Sequence, residues 1–120
     1  MDRHEIERLA SANAKAPRVT LKEIEDSIAG VFYTSGDFLI DGAGEIAPGC
    51  DMETMKDEAK WMTICTIVLK NGFMVTGDTT PANKENYDPE LGKKFSYDQA
   101  FKKLWPYFGF LLKTRQHEGW

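Results

Sequence analysis

The chain has 120 residues, of which 42% are hydrophobic and 28% are charged, and its formal net charge at pH 7 is −4. This length favours one folded domain with a core of its own. No apolar run approaches the roughly 20 residues of a membrane span, and the charged N-terminus, MDRHEIERLA, is unlike a signal peptide. We therefore expect a soluble, cytoplasmic protein that has no membrane partner.

Charge distribution and cysteine content exclude further classes of protein. Residues 1–60 hold 13 acids and 7 bases, whereas residues 84–120 hold 7 bases and 5 acids. Non-specific DNA binding relies on many phosphate contacts and is disfavoured by this balance, but a local anion site is permitted. Cys50 and Cys65 form no CxxC motif, so neither a disulfide framework nor a zinc site is indicated. We expect Cys65 to be buried.

The N-terminal region divides into a charged arm, residues 1–17, and the start of a single α+β domain, residues 18–120. The arm has a helical composition but few apolar residues, so we expect it to be weakly structured or to pack on a partner. Thr20 and Glu23 have the spacing of a capping box. The apolar residues that follow recur at helical spacing and predict a helix that reaches Val31 or Phe32.

The next region is rich in glycine and has no sustained period, which predicts a long loop over residues 33–49 with Phe38, Leu39 and Ile40 tucked inward. Methionine and alanine then recur at spacings of three and four residues over 52–62. This pattern predicts a helix capped by Asp51, with the methionines filling the core.

The stretch TICTIVLKNGFMVTGDTT sets an Asn71-Gly72 pair between two apolar runs and predicts a β-hairpin. The pair suits a type I′ turn, and a two-residue loop then pairs Leu69 with Met74. This register turns Val75 to the face opposite Leu69. Because the first strand is apolar on both faces, we expect the hairpin to be covered on both sides, by helices of the same chain or by a second copy.

The C-terminal region begins with Asp88 and Pro89, which suit the N-cap and the first position of a helix. Pro106 is expected to end or kink this helix near Trp105. The predicted fold is therefore α+β, with an antiparallel hairpin or small sheet flanked by helices and a long C-terminal helix kinked at Pro106. The expected core comprises Ile24, Ile28, Ile67, Leu69, Phe101, Leu104 and Trp105.

No catalytic or cofactor motif is visible in the sequence. His4 and His117 lie near opposite termini, and there is no P-loop, no GxGxxG after a strand and no HExxH. The carboxylates of residues 51–58 suit a solvated helix face better than a metal site. We therefore expect a protein that is not an enzyme and that uses no cofactor or metal.

A set of aromatic, amide and basic residues is a candidate binding site for a nucleotide. An exposed aromatic ring can stack on a base, amides can hydrogen-bond its edge or a ribose, and lysines can neutralise phosphate. A purely structural interpretation stays open, in which the aromatic ring is core, the amides belong to turns and the basic residues form a solvated surface. The candidates are Arg18, Phe73, Asn83, Asn86, Tyr87, Lys102 and Lys103.

The motifs LKNGFMVTGD, ENYDPELGKKF, AFKKLWP and GFLL resemble those of a family of small tailed-phage proteins, named after members from a podophage of Escherichia and one of Shigella. The match runs from about Arg18 to Arg115 and departs in the glycine-rich stretch between Phe32 and Asp51. This resemblance implies a phage origin and action in the cytoplasm of the infected bacterial host, and it implies no defined activity.

A second resemblance concerns the order of the candidate residues. A basic residue before the first helix, a hairpin phenylalanine, a loop asparagine and a basic residue on the last helix make the chain similar to the Thoeris anti-defence protein one family of phage sponges. This similarity implies a homo-oligomer that binds a cyclic ADP-ribose-type signal or a cyclic oligonucleotide without cleaving it. Lysine stands where the family has arginine, which keeps the charge and loses the bidentate fork.

Three hypotheses for function follow. The first is a phage counter-defence protein that sequesters a nucleotide-derived immune signal. The second is a phage protein that binds and inhibits a host protein through its acidic and aromatic surface. The third is a small DNA-binding accessory factor, which the acidic balance and the lack of a basic recognition helix disfavour.

Overall fold

The computed structural model describes residues 2–119, and within them the chain forms six α-helices, three β-strands and one short 3₁₀ turn, at Lys84–Asn86. This is the predicted α+β architecture. In chain order the helices and strands are α1 (Arg3–Asn13), α2 (Leu21–Asp26), β1 (Ile28–Ser35), α3 (Gly36–Asp41), α4 (Met52–Ala59), β2 (Thr63–Leu69), β3 (Met74–Thr79), α5 (Pro89–Lys102) and α6 (Leu104–Glu118).

The three strands form an antiparallel sheet in the order β1-β2-β3, and α5 packs against one of its faces. Two glycines permit this close packing. A Cβ atom on Gly77 of β3 would lie 2.5 Å from the Ala100 nitrogen, and one on Gly92 of α5 would lie 2.6 Å from Thr63 Oγ1. Any larger residue at either position would push the helix away from the sheet.

The core lies between this sheet face and the helices α2, α5 and α6. Five of the seven residues predicted for the core are buried, and the other two, Ile28 and Trp105, pack against it half-buried. Cys65 is also buried, as predicted. The core consists of Leu21, Ile24, Cys65, Ile67, Leu69, Val75, Ala100, Phe101 and Leu104.

The hairpin between β2 and β3 forms as predicted, but its turn is one residue longer. The Leu69 nitrogen donates to the Phe73 carbonyl over 2.8 Å, which leaves a three-residue loop. In the described chain positive φ angles occur at glycines only, Gly72 among them at 91°, so Asn71 does not adopt the conformation of a type I′ turn. The shift places Val75 on the same buried face as Leu69, and the predicted register was therefore wrong.

The region between α2 and α4 also differs from the prediction. The predicted helix ends at Asp26, and residues 28–35 form the edge strand β1. Valine, phenylalanine, tyrosine and threonine at 31–34 favour a strand and find their partner in β2, which lies far away in sequence. The predicted loop therefore holds the end of β1 and all of α3. Phe38 was expected to point inward and is instead 72% exposed.

The sheet face opposite α5 carries exposed apolar side chains. Phe32 of β1 is 54% exposed and Met74 of β3 is 59% exposed. The chain's own helices therefore cover one face of the hairpin and leave these side chains of the other face exposed, so the first of the two predicted alternatives does not hold. Coverage of the second face by another copy of the chain stays a prediction.

The N-terminal arm is more ordered than its composition suggested, since residues 3–13 form α1. The Asp2 carboxylate caps this helix by accepting from the Glu5 nitrogen over 2.7 Å. No residue of α1 is buried. The helix is attached to the rest of the chain mainly by polar contacts, which an analysis of apolar periodicity does not detect.

The two C-terminal helices form one long segment bent by 23°, as the sequence predicted. Asp88 caps α5 by accepting from the Glu90 nitrogen over 3.0 Å, and Pro89 occupies its first turn. Lys103 alone separates α5 from α6. Pro106 has no N–H to donate, and its ring excludes a regular helical position for the carbonyl of Lys102.

The methionine-rich helix α4 is also present, with the predicted cap at Asp51. Of its predicted core methionines, Met52 is 41% exposed and Met55 is half-buried.

None of the helices described is long and apolar enough to cross a membrane.

Candidate functional site

A cleft of about 930 Å³ lies between α1, the segment before α2, and the outer side of α5. Two of the predicted site residues, Arg18 and Lys102, line it. We call it the α1–α5 cleft. Its basic and aromatic lining residues are Arg3, His4, Arg18, Lys94, Lys102 and Trp105.

Carboxylates pair with three cations of the α1–α5 cleft, Arg3, Arg18 and Lys102. Asp98 of α5 accepts a hydrogen bond from Arg3 over 2.6 Å and lies 2.9 Å from the Lys102 ammonium group. The Arg3 guanidinium also lies over the Phe101 ring, 4.3 Å from its centroid. A single α5 carboxylate thus orients one cation from α1 and one from α5 toward the same cleft.

Glu7 organises the other side of the α1–α5 cleft. Its carboxylate accepts from Arg18 over 2.5 Å and from the backbone nitrogen of Leu21, the first residue of α2. Partial burial acts to raise the pKa of Glu7, but the hydrogen bonds from Arg18 and Leu21, together with the Arg18 charge, outweigh it and lower the pKa. The ionised carboxylate thereby ties α1 to Arg18 and to the start of α2.

Two other predicted site residues, Asn86 and Tyr87, line a second cavity of about 320 Å³ at the N-terminal end of α5. We call it the aromatic cavity. Tyr87 packs edge-on against Trp61, with ring centroids 5.2 Å apart and an angle of 71° between the ring planes. The two cavities share no lining residue.

The remaining predicted residues line neither of these two cavities. Phe73 is 42% exposed and packs edge-on against the Tyr107 ring of α6, with ring centroids 4.8 Å apart. Lys103 donates to the Thr76 carbonyl over 2.6 Å. Asn83 is exposed, and its carbonyl accepts from the Asn86 nitrogen over 2.9 Å. Within one chain the predicted set is therefore distributed over several places.

The described residues offer little for covalent or metal chemistry. Burial raises the pKa of the Cys65 thiol, and a hydrogen bond with Tyr33 opposes this only in part. A thiol held protonated is a poor nucleophile. Within residues 2–119 no three His, Cys, Asp or Glu side chains are grouped so that they could hold a metal ion.

Comparison with known proteins supplies the family. Residues 19–116 match the phage protein family described as N4 Gp49/phage Sf6 gene 66. The chain belongs to this phage protein family. No curated protein and no solved structure matches the chain significantly. The resemblance to the Thoeris anti-defence sponge therefore has no support from these comparisons and stays a hypothesis.

The family match covers only one of the two walls of the α1–α5 cleft of this phage protein. The matched range covers α2 to α5, all three strands and α6 as far as Gln116, and therefore includes Lys94, Asp98 and Lys102. Arg18 lies immediately before the range, and α1 lies before that. One wall of the cleft thus belongs to the family region, whereas the other wall is formed by residues that the family match does not cover.

Several lining residues of the α1–α5 cleft were not predicted from sequence. Lys94 and Asp98, which were not predicted, precede the predicted Lys102 at intervals of four residues along α5, and this spacing is a signal for one polar helix face. Arg3 gives no such signal, because its position depends on how α1 docks. In the aromatic cavity, Trp61 and Phe95 come together with Tyr87 only through the tertiary fold.

Proposed function

We propose that this phage protein binds an anionic, nucleotide-derived signal of its host in the α1–α5 cleft and sequesters it without cleaving it. The observation that supports this most is that two arginines and two lysines line one cleft in a protein of net charge −4. Three carboxylates, those of Asp2, Glu7 and Asp98, line the same cleft, so its lining carries one positive charge in excess. The cleft volume of about 930 Å³ falls in the range of roughly 300 to 1,000 Å³ that is typical of ligand pockets.

The paired state of these cations is compatible with anion binding. A guanidinium has five N–H donors, and Arg3 directs one of its hydrogen bonds to Asp98. Further donors on Arg3 and Arg18 remain for phosphate oxygens, with which they form charge-assisted hydrogen bonds. The carboxylates thus orient the cations in advance, and less ordering is required when a ligand binds.

The lining of the α1–α5 cleft supports binding rather than turnover. It includes one histidine, His4, which is exposed, and no serine or cysteine. Trp105 supplies half-buried aromatic surface on which a base can stack. We therefore propose a binder that returns its ligand intact and needs no cofactor.

The chemical class of the signal follows from the resemblance stated above: a cyclic ADP-ribose-type molecule or a cyclic oligonucleotide in the cytoplasm of the infected bacterium. We also propose that the binder is a homo-oligomer. The exposed Phe32 and Met74 on the sheet face opposite α5 support this, because a second copy could bury them.

Native mass spectrometry of the purified protein, incubated with a panel of cyclic ADP-ribose isomers and cyclic oligonucleotides, tests this proposal. It reports subunit count and bound mass in one spectrum. Intact ligand retained at a fixed ratio per subunit supports sequestration. A protein that stays empty across the panel, or one that releases a cleaved product, contradicts the proposal.

Lys102 and Lys103 provide a matched pair of variants. Lys102 lines the α1–α5 cleft, whereas its neighbour donates to a strand carbonyl. Lys102→Ala should weaken binding about tenfold, which corresponds to the loss of one charge-assisted contact, and Lys103→Ala should not. Phe73→Ala should keep full affinity if the cleft is the site. Loss of binding in that variant would favour a site assembled from the sequence-predicted residues of two subunits.

A second candidate function is inhibition of a host protein. The observation that favours it is the exposed apolar surface of α3, where Phe38 is 72% and Leu39 is 46% exposed. Capture from host lysate of one protein at near-equal stoichiometry, lost in Phe38→Asp and kept in Lys102→Ala, would support this alternative. The DNA-binding hypothesis would require duplex binding with a steep dependence on salt.

A further inference from the structure

The aromatic cavity is a second candidate binding site, with a chemistry different from that of the α1–α5 cleft. It lies where the end of α4, the sheet and the loop before α5 meet the first turns of α5. Its volume of about 320 Å³ is at the lower end of the range for ligand pockets, roughly 300 to 1,000 Å³. This size suits one ring system better than a dinucleotide.

The floor and one wall of the aromatic cavity are fixed by close packing. Gly92 of α5 lies so near Thr63 of the central strand that a Cβ atom would come within 2.6 Å of Thr63 Oγ1. The preceding loop is held by the 3₁₀ turn, in which the Tyr87 nitrogen donates to the Lys84 carbonyl over 3.1 Å. Tyr87 is further held by its edge-on contact with Trp61. The cavity is therefore formed before any ligand arrives.

The charges around the aromatic cavity disfavour an anion. None of its lining residues is a lysine, arginine or histidine. Its one charged lining residue, Asp88, is occupied as the cap of α5 and accepts from the Glu90 nitrogen over 3.0 Å and from the Leu91 nitrogen over 3.4 Å. A phosphate group inside the cavity would meet a carboxylate, and no cation of the lining compensates it. Lys60, whose ammonium group lies over the Trp61 ring 5.1 Å from its centroid, is not a lining residue.

The aromatic and amide groups define what the cavity accepts. Trp61, Tyr87 and Phe95 line it, and stacking on such rings favours planar ligands. Asn86, exposed at the same cavity, offers an amide donor and an amide acceptor. We propose that the aromatic cavity binds an uncharged planar heterocycle of nucleobase type, which stacks on the rings and hydrogen-bonds to the Asn86 amide.

This proposal does not rest on the function proposed for the α1–α5 cleft. The rim of the aromatic cavity is also apolar and open, since Phe95 is 58% and Leu91 is 44% exposed. A flat ligand can stack on the exposed rings at the mouth of the preformed cavity while the edge of the ligand reaches Asn86. A planar ring without hydrogen-bonding groups would fill the same space but would form no hydrogen bond with the Asn86 amide.

Titration of the full-length ¹⁵N-labelled protein with adenosine, guanosine, cytidine and uridine tests the proposal. At least one nucleoside should produce saturable shifts in the Trp61 indole and Asn86 side-chain signals. AMP should bind no more tightly than adenosine at this cavity, because no cation lines it. Absence of saturable shifts at both residues with all four nucleosides would overturn the proposal, as would a much tighter binding of AMP there.

Matched variants distinguish the loss of this binding site from the general effect of removing an exposed side chain. Phe95→Ala should weaken nucleoside binding about tenfold or more, in line with the loss of one stacking contact, whereas Phe110→Ala, at another exposed ring, should not. Asn86→Ala should weaken binding while the neighbouring Asn83→Ala should leave it unchanged. Equal effects within either pair would contradict the assignment. Lys102→Ala should not alter nucleoside binding here, so the two sites can succeed or fail separately.

Discussion

The α1–α5 cleft has two walls of very different construction. Helix α5 contributes four buried residues, packs directly on the sheet and shares Phe101 with the core. Helix α1 contributes no buried residue and is held by the Arg3–Asp98 contact and the Glu7 contacts with Arg18 and Leu21. Apolar burial and backbone packing stabilise the first wall, whereas ion pairs stabilise the second.

This difference teaches how a small domain can combine a rigid frame with an adjustable site. Ion pairs at partly exposed positions contribute little to global stability, commonly less than about 1 kcal/mol each. The α1 wall can therefore open without unfolding the sheet and α5. Regions of low local stability of this kind are where ligand-binding segments are commonly found.

The largest expected effect on the free energy of unfolding comes from the contact between α5 and strand β3. Gly77→Ala places a methyl group within 2.5 Å of the Ala100 nitrogen, so α5 must move away from the sheet. We expect the free energy of unfolding to fall by about 2 kcal/mol, as is typical of overpacked cores. Urea denaturation followed by circular dichroism measures this change.

Gly30→Ala is the matched control for Gly77→Ala. Gly30 also lies in a strand, but a Cβ atom there meets no other atom within 4 Å. Its free energy of unfolding should stay within about 0.5 kcal/mol of the parent value. Equal destabilisation by the two substitutions would show that α5 is not packed tightly at Gly77.

Removal of a helix cap is expected to have an effect of intermediate size on the free energy of unfolding. Asp88 caps α5 and Asp2 caps α1, each through hydrogen bonds from backbone nitrogens of the first turn. Asp88→Ala should lower the free energy of unfolding by about 1 kcal/mol, the usual cost of losing a cap. Asp2→Ala should leave global unfolding nearly unchanged, because α1 can fray while the domain stays folded.

Hydrogen exchange distinguishes the two cap variants. Asp2→Ala should speed amide exchange within residues 3–13 and leave exchange in β2 and α5 unchanged. A drop in global stability of equal size in both variants would mean that α1 unfolds together with the domain. The proposed difference between the two walls would then be wrong.

Much of this fold could be predicted from local signals. The caps at Thr20, Asp51 and Asp88 and the bend near Pro106 are confirmed because each depends on residues within one or two helical turns. The hairpin register was missed because Asn71-Gly72 also supports a three-residue loop, in which only Gly72 has a positive φ. The strand at residues 28–35 was missed because its pairing with β2 is non-local.

The candidate site was harder to predict than the fold. Arg18 and Lys102 do line one cleft, but Arg3 completes it only because α1 docks beside α5. Trp61 and Phe95 are more than 30 residues apart in sequence, and the fold brings them to one cavity. Residue types suggested the ligand chemistry. Apart from the spacing of four residues along α5, the grouping of those residues depends on tertiary contacts that the sequence spacing does not encode.

The smallest expected effect concerns the pH dependence of the α1 wall. The pKa of Glu7 is lowered in the folded protein because the bonds from Arg18 and Leu21 outweigh the effect of partial burial. A lowered carboxyl pKa stabilises the attachment of α1 above the ordinary pKa of glutamate, and this contribution is lost as the pH falls through the lower, folded value. Acidification should therefore lower the protection of amides 3–13 against exchange, measured relative to the intrinsic exchange rate at each pH, before it lowers the protection of the sheet. Glu7→Gln should remove this dependence, whereas Glu5→Gln, at an exposed position of the same helix, should retain it. If both variants keep the parent pH profile, Glu7 is not the group that holds α1 in place.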